Sequence, residues 1–416
     1  MRYVTSSAID GVVAAPPSKS MAVRAAAACL LAYGVSTVEN MSFCDDAFAA
    51  IGIAASLGAT VARENGSLSV RGAGRPIRPA SGTLDCRESA LCMRMFTPVA
   101  ALLGSPVKLL ASGSLRSRPM RMVETLKALG AGCATDGGHA PITVKGPIRG
   151  GRIALDASVT SQLLTGLLMA LPLCEHDSSV SVTGLASTPY VRMTMELLKR
   201  FGITVEHDDH LDAFRIRGGQ RFRPTTYSVE GDWSGAAFLL VAGAIAGRIT
   251  VTGLDAGSSQ ADRAIIDALA AAGARVTIAE DRVSVETSQL RPFTFDATRC
   301  PDLVPPLVCL ASACDGKSTI YGIERLAHKE SNRTAALIQE FGSLGITIDS
   351  SGTTMEIEGG RVAGSVVDAH GDHRIAMACA VAALRAEGPV GIRGADCVAK
   401  SYPQFYNTLD TLRPPR

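Results

Sequence analysis

Gly58-Ala59-Thr60-Val61 is the first of five matching stretches in this chain. The others are Gly130-Ala131-Gly132, Gly202-Ile203-Thr204-Val205, Gly273-Ala274-Arg275-Val276 and Gly345-Ile346-Thr347-Ile348. Their leading glycines stand 72, 72, 71 and 72 residues apart. Amphipathic runs precede them: Met122-Val123-Leu126-Leu129, Met195-Leu198-Phe201, Ile265-Ile266-Leu269 and Leu337-Ile338-Phe341-Leu344. Apolar residues spaced three and four apart mark one face of a helix. A glycine just past the last of them stops the helix, and β-branched residues after it start a strand. A fixed period of this kind means one supersecondary unit copied along the chain. The 416 residues hold nearly six units, so the sixth has to be completed by the N-terminal segment.

Polar residues collect just ahead of these helices: Asp45-Asp46, Arg116-Ser117-Arg118, Ser187-Thr188-Pro189-Tyr190, Ser258-Ser259-Gln260, Lys329-Glu330-Ser331-Asn332-Arg333 and Lys400-Ser401-Tyr402. A second set, also about 70 residues apart, reads Ser18-Lys19-Ser20, Arg87-Glu88-Ser89, Thr160-Ser161-Gln162, Asp232-Trp233-Ser234, Pro301-Asp302 and Gly371-Asp372-His373-Arg374. Helix N-termini present unpaired N–H groups and the positive end of the dipole, which suits anions. Strand signals at 67–70, 107–110, 179–182, 248–251, 318–321 and 389–392 are read as a third comb. One unit thus carries two helices and several short strands, an α/β pattern, and three units per domain divide six naturally. Turn formers between Arg217 and Thr225 place one domain crossing near residue 228, and the borrowed first strand places another near residue 13. The expected domains are residues 13–228, and residues 1–12 with 229–416.

With 47% apolar residues the chain can bury large cores, and a net charge of +2 gives no bulk attraction for nucleic acid. One Trp and few aromatics leave little for base stacking. Eleven Cys without a Cys-x-x-Cys pair read as reduced thiols of a cytoplasmic protein. Met1-Arg2-Tyr3-Val4-Thr5 lacks a signal-peptide core, and the apolar run Ala236 to Ala246 is too short to span a membrane. His207-Asp208-Asp209-His210 has metal-ligand residues but sits in a turn between strands, and is read as no metal site. Ser20 is a candidate cap for the helix after Pro16-Pro17-Ser18-Lys19, with Lys19 and Arg24 in reach of an anion there. The Walker pattern is absent.

Eight motifs, in order, carry a resemblance that runs along almost the whole chain. They are Pro17-Ser18-Lys19-Ser20, Ser114-Leu115-Arg116-Ser117-Arg118-Pro119-Met120, Thr160-Ser161-Gln162, Ser187-Thr188-Pro189-Tyr190-Val191-Arg192-Met193-Thr194, Glu230-Gly231-Asp232, Lys329-Glu330-Ser331-Asn332-Arg333, Asp372-His373-Arg374-Ile375-Ala376-Met377 and Lys400-Ser401-Tyr402-Pro403. Together they resemble the EPSP synthase (3-phosphoshikimate 1-carboxyvinyltransferase) family. The resemblance implies a two-domain inside-out α/β barrel, each domain three βαβαββ repeats, with the active site in the cleft between them. It implies transfer of the enolpyruvyl group of phosphoenolpyruvate to the 5-hydroxyl of shikimate 3-phosphate in the shikimate pathway, by a cytoplasmic monomer without metal or organic cofactor. Neither nucleic acid nor a membrane is an expected partner.

The resemblance also implies roles. Lys19, Ala90, Arg118, Gln162, Arg333, Arg374 and Lys400 correspond to phosphoenolpyruvate positions. Lys19, Ser20, Arg24, Thr160, Ser161, Gln162, Ser187, Tyr190, Asp302 and Lys329 correspond to shikimate 3-phosphate positions. Lys19, Asp302 and Glu330 are the catalytic candidates, with Asp302 as base and Glu330 as its acid–base partner. Guanidinium forks and ammonium groups suit two polyanionic substrates. Arg24 and Lys329 also have a plain reading as solvated helix residues, and Asp302 as an N-cap. His373 is read as a structural hydrogen-bonder, and Cys44, Cys86 and Cys92 as inert.

Several positions depart from the family pattern. Arg87-Glu88-Ser89-Ala90-Leu91 stands where the family has Gly-Asn-Ser-Gly-Thr, so Ala90 replaces a glycine. Ala327-His328 replaces Arg-Val, Asn332 an Asp, and Gly371 an Asn. The family's inhibitor glyphosate occupies the phosphoenolpyruvate position, and the Ala90 methyl is expected to obstruct it. The related UDP-N-acetylglucosamine enolpyruvyl transferases carry a reactive Cys where this chain has Ser112-Gly113-Ser114-Leu115-Arg116, and match less well. A non-catalytic repeat scaffold is the other alternative, but it has no use for cations at corresponding helix starts.

Overall fold

The helix Val123–Ala128 shows how each repeat turns. Its chain passes through Leu129 to Gly130, at φ +88°. The Gly130 N–H donates to the Lys127 carbonyl and the Ala131 N–H to that of Leu126, at 2.9 and 3.0 Å. The same pair of bonds closes the helices ahead of Gly58, Gly202, Gly273 and Gly345, whose φ angles run from +77° to +107°. A Cβ is strained at such angles, so the period of the sequence is a period of glycine-terminated helices.

The computed structural model describes residues 1–185 and 187–414; Ala186 and the end of the proline-rich tail, Pro415-Arg416, lie outside the described residues. It divides the chain into two compact units, residues 19–229, and residues 1–18 with 230–416.

In the unit 19–229, one repeat runs in full as strand Thr83–Asp85, helix Ala90–Ala100, strand Val107–Leu110, helix Val123–Ala128 and hairpin Gly132–Asp136/His139–Lys145. Its sheet pairs the first two strands in parallel and adds the hairpin antiparallel. The same order recurs with Gly151–Asp156, Ser178–Thr183 and the strands Ala213–Ile216 and Glu206–His207. It recurs again with Thr226–Ser228 parallel to Tyr33–Glu39, followed by Ser67–Ala73 and Thr60–Glu64. Ser67–Ala73 is therefore a hairpin strand, out of step with the comb in which its sequence was placed. The equivalent of Val107–Leu110 is Tyr33–Glu39.

The unit 1–18 with 230–416 repeats the pattern. Ile9–Ala14 lies parallel to Gly247–Thr252, and Arg282–Glu286 and Arg275–Ala279 follow antiparallel. Thr294–Asp296, Lys317–Tyr321, Thr354–Glu358 and Thr347–Ser351 form the next sheet. Val366–Asp368 and Val390–Arg393 take Arg2–Val4 as their antiparallel partner, so the N-terminus completes the last repeat. The chain's early crossing comes at residue 18, later than the expected 13, because Ile9–Ala14 stays in the ladder of Gly247–Thr252 to its last residue. The late crossing falls after Val229.

Each unit has one apolar core. In residues 19–229 the core holds the helices Lys19–Leu31, Ala90–Ala100 and Gln162–Ala170, which are buried nearly all round. In the other unit Trp233–Ala246, Val304–Ser312 and His373–Ala382 do the same. The strands alternate buried and exposed side chains, as in Gly151–Asp156, so each sheet covers the core with one face. This is the inside-out arrangement, with helices in the core and sheets outside. The six sheets are separate and open among the described residues. No described helix is long and apolar enough to cross a membrane.

Candidate active site

The polar residues ahead of the inner helices form a cluster in each unit. In residues 19–229 the helix Lys19–Leu31 starts at Lys19. Ser20 therefore lies inside its first turn and is not the cap expected of it. Lys19 Nζ donates to Asp46 Oδ2 at 3.0 Å, tying this start to that of the helix Asp45–Ser56. Arg24 is buried, and its guanidinium joins two helices. Nε donates to Thr194 Oγ1 at 2.9 Å, Nη1 to the Ser20 carbonyl at 2.9 Å and Nη2 to the Tyr190 carbonyl at 3.4 Å. Burial pulls it down to about 10, still charged at neutral pH.

Ala90 is the first residue of Ala90–Ala100 and is 5% exposed. Ser89 caps that helix by accepting from the Cys92 N–H at 3.4 Å. Thr160 Oγ1 accepts from the Gln162 N–H at 3.2 Å at the head of Gln162–Ala170. Gln162 Oε1 in turn accepts from Arg94 Nη1 at 2.7 Å, while Arg94 Nη2 donates to the Pro119 carbonyl beside Arg118. Arg118, Ser161 and Ser187 are buried, and Ser187 and Tyr190 stand at the head of Thr188–Arg200. Arg94 and Asp46 were not singled out as site residues from the sequence. Arg94 sits in an apolar helix, and only its place among buried neighbours marks it as a charge that needs partners.

The other unit concentrates opposite charges. Arg333, 1% exposed, opens the helix Arg333–Ser343. Its Nε donates to Asp372 Oδ2 at 2.8 Å, Nη1 to Asp302 Oδ1 at 2.6 Å and Nη2 to Glu330 Oε2 at 2.5 Å. Lys329 Nζ reaches Asp302 Oδ1 at 3.2 Å. Arg374 Nη1 donates to the Asp302 carbonyl at 3.2 Å, and its Nη2 lies 3.4 Å from Asp302 Oδ2. Asp302 sits within the turn Pro301–Leu303, so it is not an N-cap. Lys400 is buried at the end of the turn Ala395–Lys400.

Asp372, quoted above only as part of a motif, organises this cluster. It caps His373–Ala382 by accepting from the Arg374 N–H at 3.0 Å, and also accepts from Ser331 Oγ at 3.1 Å. An Asp directly before a helix is a legible cap, but its grip on Arg333 comes from tertiary placement. Glu340 holds the preceding loop, accepting from the Asp368 N–H at 2.9 Å and pairing with His370 Nε2 at 2.7 Å. His373 is buried 3.8 Å from Asp372.

Burial alone would raise the Asp302 carboxyl, but Arg374, Lys329 and Arg333 outweigh it and hold it well below the usual carboxylate range. Burial draws Lys329 below its ordinary value, with Asp302 opposing. Burial would also lower Arg333, yet Asp372, Glu330 and Asp302 leave it raised well above normal. The cluster can thus keep a carboxylate ionised among cations, beside a second carboxylate on Glu330. Burial pushes the thiols of Cys44, Cys86 and Cys92 up, which suits inert side chains. In the exposed turn at 207–210, Asp208 Oδ1 accepts from the Asp212 and Ala213 N–H groups. No group of His, Cys, Asp and Glu fit to hold a metal occurs among the described residues.

The family model for EPSP synthase (3-phosphoshikimate 1-carboxyvinyltransferase) matches residues 4–409. The 3-phosphoshikimate 1-carboxyvinyltransferase of Thermococcus kodakarensis is 38% identical over 405 residues, 97% of this chain and 98% of that protein. That of Methanocorpusculum labreanum is 36% identical over 413 residues, 98% of this chain and 97% of the relative. Among solved structures, EPSP synthase from Acinetobacter baumannii superposes with a TM-score of 0.83 at 24% identity, covering 99% of this chain and 98% of that one. The enolpyruvyl transferase NikO from Streptomyces tendae gives 0.79 at 17% identity, covering 99% and 96%. These structural likenesses speak for the fold, whereas the family model and the sequence relatives carry the assignment. The chain belongs to the EPSP synthase (3-phosphoshikimate 1-carboxyvinyltransferase) family.

Proposed function

We propose that this chain transfers the enolpyruvyl group of phosphoenolpyruvate to the 5-hydroxyl of shikimate 3-phosphate, giving 5-enolpyruvylshikimate 3-phosphate and phosphate. The observation that carries the reading is the Asp302 carboxylate held ionised by Lys329, Arg333 and Arg374, with Glu330 bonded to the same Arg333. We assign residues of both units to the one pair of substrates.

In the reading, the phosphate and carboxylate of phosphoenolpyruvate meet Lys19, Arg118, Arg374 and Lys400, beside Gln162 and the backbone at Ala90. Arg333 adds its charge while its nitrogens hold the carboxylates. Shikimate 3-phosphate takes Lys19, Ser20, Arg24, Thr160, Ser161, Gln162, Ser187, Tyr190, Asp302 and Lys329. Asp302 receives the proton of the attacking hydroxyl as its oxygen bonds to the central carbon of phosphoenolpyruvate. The methylene carbon gains a proton, from Glu330 or Lys19, and becomes a methyl group. The tetrahedral adduct then loses a methyl proton and its C–O bond to phosphate, which restores the double bond. Fixed cations favour the highly charged adduct without reorganising, and so supply much of the rate. Anions on those cations also relieve the pull on Asp302 and strengthen it as a base.

The eleven unpaired thiols support the cytoplasm as its compartment. We read the working form as a monomer. The test is phosphate release with phosphoenolpyruvate plus shikimate 3-phosphate, run beside UDP-N-acetylglucosamine as the acceptor. Release with the first acceptor is expected. Release with the second alone would assign the chain to the related transferases.

A further inference from the structure

Asp262 is a buried carboxyl that the reaction as described does not use. It lies in the turn Ala261–Ala264 and is 1% exposed. One oxygen, Oδ2, accepts a hydrogen bond from Ser234 Oγ. The other, Oδ1, is buried with no hydrogen-bond partner among the described residues. An ionised carboxylate with a bare buried oxygen is costly, whereas the protonated form is not charged at all. The charged and titratable groups that act on it come from three directions. Asp232 stands with Ser234 at the start of Trp233–Ala246, Cys300 and Asp302 come from the segment around Pro301–Leu303, and Arg374 comes from the start of His373–Ala382. Arg374 is the one cation among them.

We propose that Asp262 is a positioning residue that takes up a proton when an anion settles on Arg374, so that phosphoenolpyruvate binding and proton uptake are coupled at this side chain. The proposal rests on the assignment of Arg374 to phosphoenolpyruvate made above. In the free protein burial pushes the carboxyl up, Arg374 pulls it down, and Asp302 and Asp232 push it up again, leaving it at about 7. The proton is then partly on and partly off near neutrality. An anion at Arg374 cancels the one cationic pull toward the ionised form, leaves only the Ser234 hydrogen bond in its favour, and adds a negative charge of its own. Both effects raise the carboxyl further, and a proton enters from solvent. This proton stays on Asp262 and does not pass to substrate. Its effect is to leave Arg374 answering the substrate and Asp302 without a third anion on Asp262.

The sign of the pH dependence follows. Below the free-state value Asp262 is already protonated and binding needs no proton. Above it, each binding event must take one up, so kcat/KM for phosphoenolpyruvate falls as pH rises, by up to about tenfold per pH unit. Substrate phosphates lose their last proton near pH ~6 and are constant above that. The experiment is kcat/KM for phosphoenolpyruvate from about pH 6 to pH 9, in wild type, Asp262→Asn and Ser234→Ala. Asparagine mimics the protonated acid and keeps the bond from Ser234. Asp262→Asn is expected to match wild type at the acid end and to exceed it at the alkaline end, with the fall abolished. Ser234→Ala removes a hydrogen bond to the ionised form, so its inflection is expected to move to higher pH. A profile of Asp262→Asn parallel to wild type would overturn the proposal, because a purely structural carboxyl lowers activity equally at every pH. If that variant does not fold, an unmoved inflection in Ser234→Ala overturns it equally well. Absence of turnover in wild type with both substrates would instead remove the functional reading beneath it.

Discussion

Asp302 is pulled two ways, and the direction decides its chemistry. Burial favours the neutral acid, but three cations favour the anion and prevail. Because the folded value is depressed, the stability this group contributes is complete above the unfolded carboxylate value of about 3.9 and is lost as pH falls through the lower folded value. Asp302→Asn should lower turnover by about 10²–10⁴, and its stability deficit should be largest at neutral pH and close on acidification. Urea midpoints of both proteins across the acid range check this; a deficit independent of pH would contradict the ion-pair account. A second residue tests shape. The Ala90 side chain is packed at the very start of its helix. Overpacking of an inhibitor against it amounts to ~1–3 kcal/mol, or about five- to a hundredfold in affinity. Ala90→Gly should therefore tighten glyphosate inhibition measured against phosphoenolpyruvate, while changing KM less. Tight inhibition of the wild type, or no gain on substitution, would dismiss the methyl group as the cause.

At the scale of elements, the glycine-terminated helices were legible because a helix stop has a local physical cause. Gly130 needs its positive φ and has open space where a Cβ would stand, so only backbone strain opposes a side chain. Gly130→Ala should destabilise by ~1–2 kcal/mol. Gly52, inside the helix Asp45–Ser56 and equally unobstructed, should gain ~0.5–1 kcal/mol as Gly52→Ala. Opposite shifts in the urea midpoint are the expected result. Other features were less legible for equally physical reasons. Ser18-Lys19-Ser20 offers two hydroxyls for one cap, and the helix begins at Lys19. Residues 67–70 alternate well enough to be any strand, and only pairing shows them to be half of a hairpin. The cations at helix starts could be named from the sequence, yet the bonds that gather Asp302, Glu330 and Asp372 on Arg333 depend on tertiary distances that no spacing encodes.

For the whole molecule, the borrowed strands matter most. Residues 230–416 lack two strands of their own unit, Arg2–Val4 and Ile9–Ala14, and with them the buried Val4 and Ile9. Each such side chain contributes ~1.5–3 kcal/mol on burial, against a usual total of about 5–15 kcal/mol. The fragment 230–416 should accordingly show no cooperative urea transition. Residues 2–5 lie beside residues 410–413, with Arg2 paired to Asp410 and Arg413 Nη2 donating to the Thr5 carbonyl at 3.4 Å. A fragment in which residues 1–18 follow residue 416 through a short glycine linker should recover the transition. A stable, cooperative 230–416 would show the borrowed strands to be dispensable.

The same borrowing sets a timetable on the ribosome. Ile9 registers with Gly247, and Asp10 pairs with a residue 238 positions on. At about 5–20 residues per second, Ile9–Ala14 emerges and waits on the order of ten to fifty seconds before its partner exists, and Arg2–Val4 waits longer still for Val390–Arg393. Residues 19–229 can be synthesised, and can take their own last strand, Thr226–Ser228, during that interval. The nascent N-terminus must stay unpaired throughout, which makes it the segment most open to capture by chaperones while the chain is being made.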